Sequence, residues 1–199
     1  MEKAKHFFEK PIAVTDLETT GLDPRRHEII ELGLVLLNPV TLATVAEADI
    51  RVRPTRLHLA SPEALRVNGY DAALWHDAVD LPQALRRYAD VAGDAVLMAY
   101  NVTFDWCFLQ SAFQETGTEN RLDYHRGDIF TYAFETLRSS GLERFRLSSV
   151  SEFLGLVPEL LPHRAINGAR AAVDVYRALR RINRDVRISS QGVSAADLG

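Results

Sequence analysis

The 199 residues carry a formal net charge of −4 and an apolar fraction of 47%, enough for one buried core and too acidic to hold long duplex nucleic acid by counterion release. A single cysteine, Cys107, excludes an intramolecular disulfide and a cysteine-based zinc site, and suits a reducing cytoplasm. No apolar run nears the roughly 20 residues that span a bilayer, and the N-terminal segment lacks the apolar core of a signal peptide; the expected location is cytoplasmic, with no membrane partner.

In chain order, residues 11–15 (PIAVT) form a short apolar run that reads as a buried strand emptying into an acidic loop. Residues 28–37 (EIIELGLVLL) read as a second strand closed by Asn38-Pro39. Residues 43–53 alternate in their second half and stop at Pro54, which predicts a third strand antiparallel to the second. Ser61-Pro62-Glu63 has the form of a helix start and Asn68-Gly69 of its end. Leu81, Leu85, Tyr88 and Ala89 recur at helical spacing before Gly93-Asp94, and residues 95–100 (AVLMAY) read as a central buried strand. Residues 103–115 place Phe104, Phe108, Leu109 and Ala112 on one helical face, with Thr103 as the expected cap and Asp105 in the first turn. Further helices are expected over 128–137, 147–154 and 165–182, the last followed by a polar tail, 183–199, that lacks periodicity and reads as frayed. The pattern predicts an α/β fold with a mixed sheet flanked by helices: one domain over 1–182 and a flexible tail.

Chemistry concentrates in three segments. In Asp16-Leu17-Glu18-Thr19-Thr20-Gly21-Leu22, residues two apart on a strand point the same way, so Asp16 and Glu18 present two carboxylates to one side. An isolated D-x-E is usually a solvated strand end; the small residues and Gly21 that follow instead let a ligand approach the backbone. In Tyr100-Asn101-Val102-Thr103-Phe104-Asp105, a strand runs into a helix whose first turn holds an aspartate, which either complements the helix dipole or brings a third carboxylate to the same mouth. In His163-Arg164-Ala165-Ile166-Asn167-Gly168-Ala169-Arg170, a histidine beside a helix start is a packing residue or a general base.

Together, D-L-E-T-T-G-L, N-V-x-F-D and H-R-A-x-N-x-A-R are similar, in order and separation, to the three motifs of the DEDDh (DnaQ-like) 3′–5′ exonucleases over about residues 11–182. The resemblance implies a ribonuclease H-like fold and a metal-dependent exonuclease that hydrolyses phosphodiester bonds at the 3′ ends of single-stranded DNA or RNA, releasing nucleoside 5′-monophosphates. It implies that Asp16, Glu18 and Asp105 hold two Mg²⁺ or Mn²⁺ ions, with the chemistry of a two-metal site, and that His163 takes a proton from the attacking water. Thr20, Gly21, Leu22, Asn101 and Phe104 would meet the terminal nucleotide, Leu22 as an apolar wedge. Arg25, Arg26 and His27 either hold upstream phosphates or form a solvated turn, and Asp128 reads as an N-cap or support residue. Protein partners are unspecified, and the family includes monomers and homodimers.

The chain departs from the pattern at one place. The fourth carboxylate of the family falls five residues after the histidine, and Gly168 stands there. Asp174, about 240° round the helix, and Asn167, about 100° away, face elsewhere. Three readings follow: a weakened enzyme with higher metal demand, a protein that binds nucleic-acid ends or a protein partner without cleaving, or a glycine in place of the aspartate of an active parent.

Overall fold

The computed structural model describes residues 7–159 and 161–191, with side chains for all of these except 185–191. Strands β1 (Ile12–Thr19), β2 (Ile29–Leu37), β3 (Thr44–Arg51), β4 (Val96–Ala99) and β5 (Arg126–Asp128) form one mixed sheet in the order β3-β2-β1-β4-β5. β2 is antiparallel to both β1 and β3, whereas β4 runs parallel to β1 and β5 parallel to β4. Helices α1 (Pro62–Asn68), α2 (Leu81–Ala92), α3 (Val102–Thr116), α4 (Ile129–Leu137), α5 (Leu147–Phe153) and α6 (Ala165–Gln191) complete the fold.

The alternation of β1 decides which face each residue serves. Ala13 and Leu17 pack with Leu85, Tyr88, Leu109 and Phe113 of α2 and α3. Val14 packs on the other side with Ile129, Ala169 and Val173 of α4 and α6. Asp16 and Glu18 share the parity of Val14, so the strand delivers both carboxylates toward α6. Every residue of β2 is buried, as a strand covered on both faces requires, while β3 is half exposed at the sheet edge.

Local signals fix several boundaries. Ser61 caps α1 by accepting from the Ala64 N–H, and Gly69 ends the helix in the left-handed region at φ 60°. Asp80 caps α2 in the same way through the Gln83 N–H.

Three expectations differ. α3 begins at Val102 with Asn101, not Thr103, in the cap position, and the Asn101 side chain makes no capping bond. Its first-turn Val102 N–H instead donates to Asp128 Oδ2 at 3.0 Å, so the cap comes from another strand rather than from the neighbouring sequence. β5 has no apolar run to announce it; its register with Leu97, Met98 and Ala99 makes it a strand. α6 continues to Gln191 through the first nine residues of the expected tail, where no Pro or Gly interrupts it; residues 192–199 lie outside those described.

One close approach sets the position of α6. A Cβ on Gly33 of β2 would lie 2.1 Å from the Ala165 carbonyl carbon and 2.4 Å from the Ile166 nitrogen. Because the obstacle is backbone, Gly33→Ala is expected to lower stability by about 3 kcal/mol, the upper part of the usual overpacking range. Urea unfolding checks this, and an unchanged midpoint would contradict it.

Candidate active site

β1 ends where α3, α6 and the loop before α6 meet. Asp105, in the first turn of α3, is 3% exposed, and its carboxylate faces the backbone N–H groups of Leu17 and of Asp105 itself. That contact with Leu17 sets the third carboxylate beside the Asp16/Glu18 pair. Asp128 supports the arrangement from behind. Its Oδ1 accepts from the Thr131 N–H (2.7 Å) and hydroxyl (2.6 Å) while Oδ2 accepts from the Val102 N–H, so it caps α4 and ties it to the start of α3, as the sequence reading held.

The electrostatics of the site are dominated by burial, with repulsion among the carboxylates second. Burial, then the charges of Asp105 and Glu18, drive the Asp16 carboxyl well above the ordinary range, with smaller contributions from Glu159 and Glu31. Glu18 is pushed up to about 8, again by burial first and then by Glu159 and Glu31, against a lowering by Arg164. Burial also raises Asp105 despite its backbone donors. Asp16 and Glu18 keep some contact with solvent, which screens their shifts more than that of Asp105.

This donor set suits a hard divalent cation. Oδ1 of Asp105 is buried without a hydrogen-bond partner, and three mutually repelling carboxylates gain most from a positive charge between them. Among the described residues no group of three His, Cys, Asp or Glu side chains is arranged to hold a metal ion as it stands, so these carboxylates would have to close on one. Asp16 leans on the backbone of Gly168, where an added Cβ would lie 2.2 Å from its Oδ2. The space that a fourth carboxylate would enter is thus occupied by the first. Asn167 is exposed and Asp174 is solvent-facing beside Arg177, as their helical positions predict.

A pH prediction follows from these shifts. Carboxyls held above their unfolded values bind protons more tightly in the folded state, so stability falls as pH rises from about 4 toward 8 and then levels off. The slope is up to about 1.4 kcal/mol per pH unit for each group that titrates, less where solvent screens it. Urea unfolding across this range should show the decline, and saturating Mn²⁺ should flatten it, because a cation stabilises the ionised carboxylates. A flat metal-free profile would contradict the shifts.

The first loop is tightly internal. The Thr20 N–H donates to the Glu28 carbonyl (2.9 Å), its carbonyl accepts from the Ser61 N–H (2.7 Å), and its hydroxyl accepts from the Glu28 N–H (2.9 Å). Thr20 therefore shapes the loop, its N–H, carbonyl and hydroxyl each engaged within it. A Cβ on Gly21 would lie 2.5 Å from the His27 ring, and His27 Nδ1 accepts from the Asp23 N–H, which makes His27 a packing residue of the turn. Leu22 projects with 82% of its surface exposed. Phe104 is half-buried against Phe108 (ring centroids 5.0 Å apart) and Asn101 is exposed at the α3 start.

His163 is paired with a residue that sequence reasoning missed, Glu159. Its Nδ1 lies 2.7 Å from Glu159 Oε2, and Glu159 is the acid whose charge bears on both Asp16 and Glu18. Glu31 was missed too. It is 1% exposed in β2, accepts from the Ala165 N–H at 3.1 Å, and lies 3.6 Å from both Arg51 and Arg164. Two carboxylates, Glu31 and Glu159, thus satisfy N–H groups at the start of α6. The available signals were a lone acid inside an apolar run and a Glu four residues before the histidine.

Comparison with known proteins agrees with this architecture. The RNase_T model, described as an exonuclease, matches residues 13–176. The chain belongs to this exonuclease family. Its fold is ribonuclease H-like, and the group is that of the DnaQ-like 3′–5′ exonucleases. A PolC-type DNA polymerase III of Thermotoga maritima is 30% identical over 170 residues, 85% of this chain and 12% of the polymerase. A putative bifunctional exonuclease/endonuclease of Mycobacterium tuberculosis is 28% identical over 194 residues, 93% of this chain and 28% of that protein. The chain therefore spans only a fraction of these curated relatives. Among solved structures, E. coli exonuclease I bound to a dA16 oligonucleotide superposes with a TM-score of 0.73 at 16% identity, over 86% of this chain and 41% of the other. Among the described residues no helix is long and apolar enough to cross a membrane.

Proposed function

We propose that this chain is a divalent-metal-dependent exonuclease that removes nucleotides stepwise from the 3′ ends of single-stranded DNA or RNA as 5′-monophosphates. The observation that carries the reading is the convergence at one strand end of Asp16, Glu18 and Asp105, with an unpartnered buried oxygen on Asp105. Asp16, Glu18 and Asp105 would hold Mg²⁺ or Mn²⁺, which when bound supplies charge stabilisation at the phosphate and an activated water. His163 would serve as the proton acceptor for the attacking water. Leu22 and Phe104 give the terminal base an apolar seat that tolerates any sequence, beside Asn101 and the loop built by Thr20 and Gly21. The single-stranded substrate is also supported by the oligonucleotide complex of the structurally similar exonuclease I. The free, exposed Cys107 is compatible with a reducing cytoplasm.

A 5′-labelled single-stranded oligonucleotide with Mn²⁺ tests this: a ladder shortening from the 3′ end, with nucleoside 5′-monophosphates released, is the expected result. Intact substrate would remove the reading. One observation favours a second reading, binding without cleavage: Gly168 offers no carboxylate and Asp16 fills its space. Tight oligonucleotide binding that needs no metal would support that alternative.

A further inference from the structure

The loop that enters α6 is built around one carboxylate. Glu159 is nearly enclosed, its side chain 9% exposed. Both its oxygens are engaged, Oε2 with His163 Nδ1 at 2.7 Å and Oε1 with the Arg164 N–H at 2.9 Å. The backbone of the histidine is pinned independently. The His163 N–H donates to the Val67 carbonyl (3.2 Å), the Arg164 guanidinium donates to the Asn68 carbonyl (2.7 Å), and Pro162 packs on Gly69 closely enough that a Cβ there would lie 2.8 Å away. The imidazole itself is 38% exposed. Its backbone place is therefore fixed by α1, but its rotation and its proton are not.

We propose that Glu159 is a positioning residue that fixes His163 as the Nδ1–H tautomer, leaving Nε2 unprotonated as the proton acceptor. A neutral imidazole has one donor and one acceptor nitrogen, and the hydrogen bond made by one nitrogen decides the state of the other. A carboxylate has no proton to give when ionised, so the nitrogen facing it must be the donor. The same negative charge steadies the imidazolium that forms when Nε2 takes a proton, as in carboxylate–histidine pairs generally. Glu159 does this in a pocket where its charge also opposes ionisation of Asp16 and Glu18, a cost that capping one Arg164 N–H does not require of a carboxylate, since a neutral oxygen would serve.

The rate consequence rests on the exonuclease reading; the tautomer does not, and the two are measured separately. At a pH where the ring is neutral, long-range ¹⁵N–¹H spectra of the full chain should show His163 with a protonated Nδ1 and a bare Nε2. Glu159→Gln keeps an oxygen for the Arg164 N–H and turns an NH₂ toward the ring, so the pattern should invert while the melting temperature stays nearly constant. In the Mn²⁺-dependent oligonucleotide reaction the same variant should lose about 10²-fold in kcat with little change in KM, and Glu159→Asp should recover part of it. An Nε2–H tautomer in the wild type, or an unchanged tautomer and kcat in Glu159→Gln, would overturn the proposal and leave Glu159 as a helix cap. A wild type with no nuclease activity would instead defeat the exonuclease reading, with the spectra still deciding the role of Glu159.

Discussion

Asparagine in place of Asp105 should give a protein that is more stable without metal and about 10³-fold less active with it. Asp105 is 3% exposed, its charged form is opposed chiefly by burial, and its Oδ1 has no partner. Above the unfolded pKa of about 4, the folded protein must either hold a proton on this group or bury its charge, and either choice subtracts stability up to the raised folded value. Asparagine removes that penalty and keeps an oxygen for the Leu17 N–H, but places an amide donor in the orphaned position. The net gain expected at pH near 8 is roughly 1–2 kcal/mol. The loss of activity corresponds to about 4 kcal/mol of transition-state stabilisation by a correctly held cation. Urea unfolding and oligonucleotide digestion on the same preparation measure both. A variant that is less stable and still active would make Asp105 a structural residue.

An aspartate placed at position 168 should work in two directions according to metal. A Cβ there meets Asp16 Oδ2 at 2.2 Å and Cγ at 2.7 Å, so the Asp16 side chain must turn away, and a fourth carboxylate then joins a pocket where Asp16, Glu18 and Asp105 already resist ionisation. Against this, replacing a helical glycine recovers roughly 0.5 kcal/mol or less, since Asp is itself an indifferent helix former. Without metal, Gly168→Asp is therefore expected to lose about 1–3 kcal/mol. With Mn²⁺ the added oxygen ligand and the displaced Asp16 both become favourable, so stability should recover and the exonuclease rate at limiting Mn²⁺ should rise about 10²-fold, some 3 kcal/mol. Gly168→Ala separates the two effects, since it carries the steric conflict and no ligand. It should regain only the part of the loss that comes from displacing Asp16, and so recover less with Mn²⁺ than the Asp variant. Equal behaviour of the Asp and Ala variants would mean that position 168 does not reach the cation.

Much of this was readable from the chain because the determinants are local. Asp16 and Glu18 alternate with Leu17, so strand parity alone set them on one side, and Ser61, Pro62 and Gly69 marked the ends of α1 by capping chemistry. The α3 start was misjudged by one residue because its cap is supplied by Asp128, 26 residues away. β5 was invisible because three half-buried residues become a strand only through pairing with β4. Glu31 and Glu159 carry meaning only once α6 is docked: the first is 134 residues from the Ala165 N–H it receives, and the second acts on Asp16 and Glu18 across the pocket. The hydrogen bonds by which Thr20 ties the first loop to Glu28 and Ser61 are likewise facts of the folded chain that no spacing rule contains.

Anomalous diffraction from Mn²⁺-soaked crystals tests the central claim most directly. A peak bounded by the oxygens of Asp16, Glu18 and Asp105, with the Asp16 side chain drawn off Gly168, is the result this arrangement predicts. Manganese bound only elsewhere on the surface, with these three carboxylates unmoved, would contradict it.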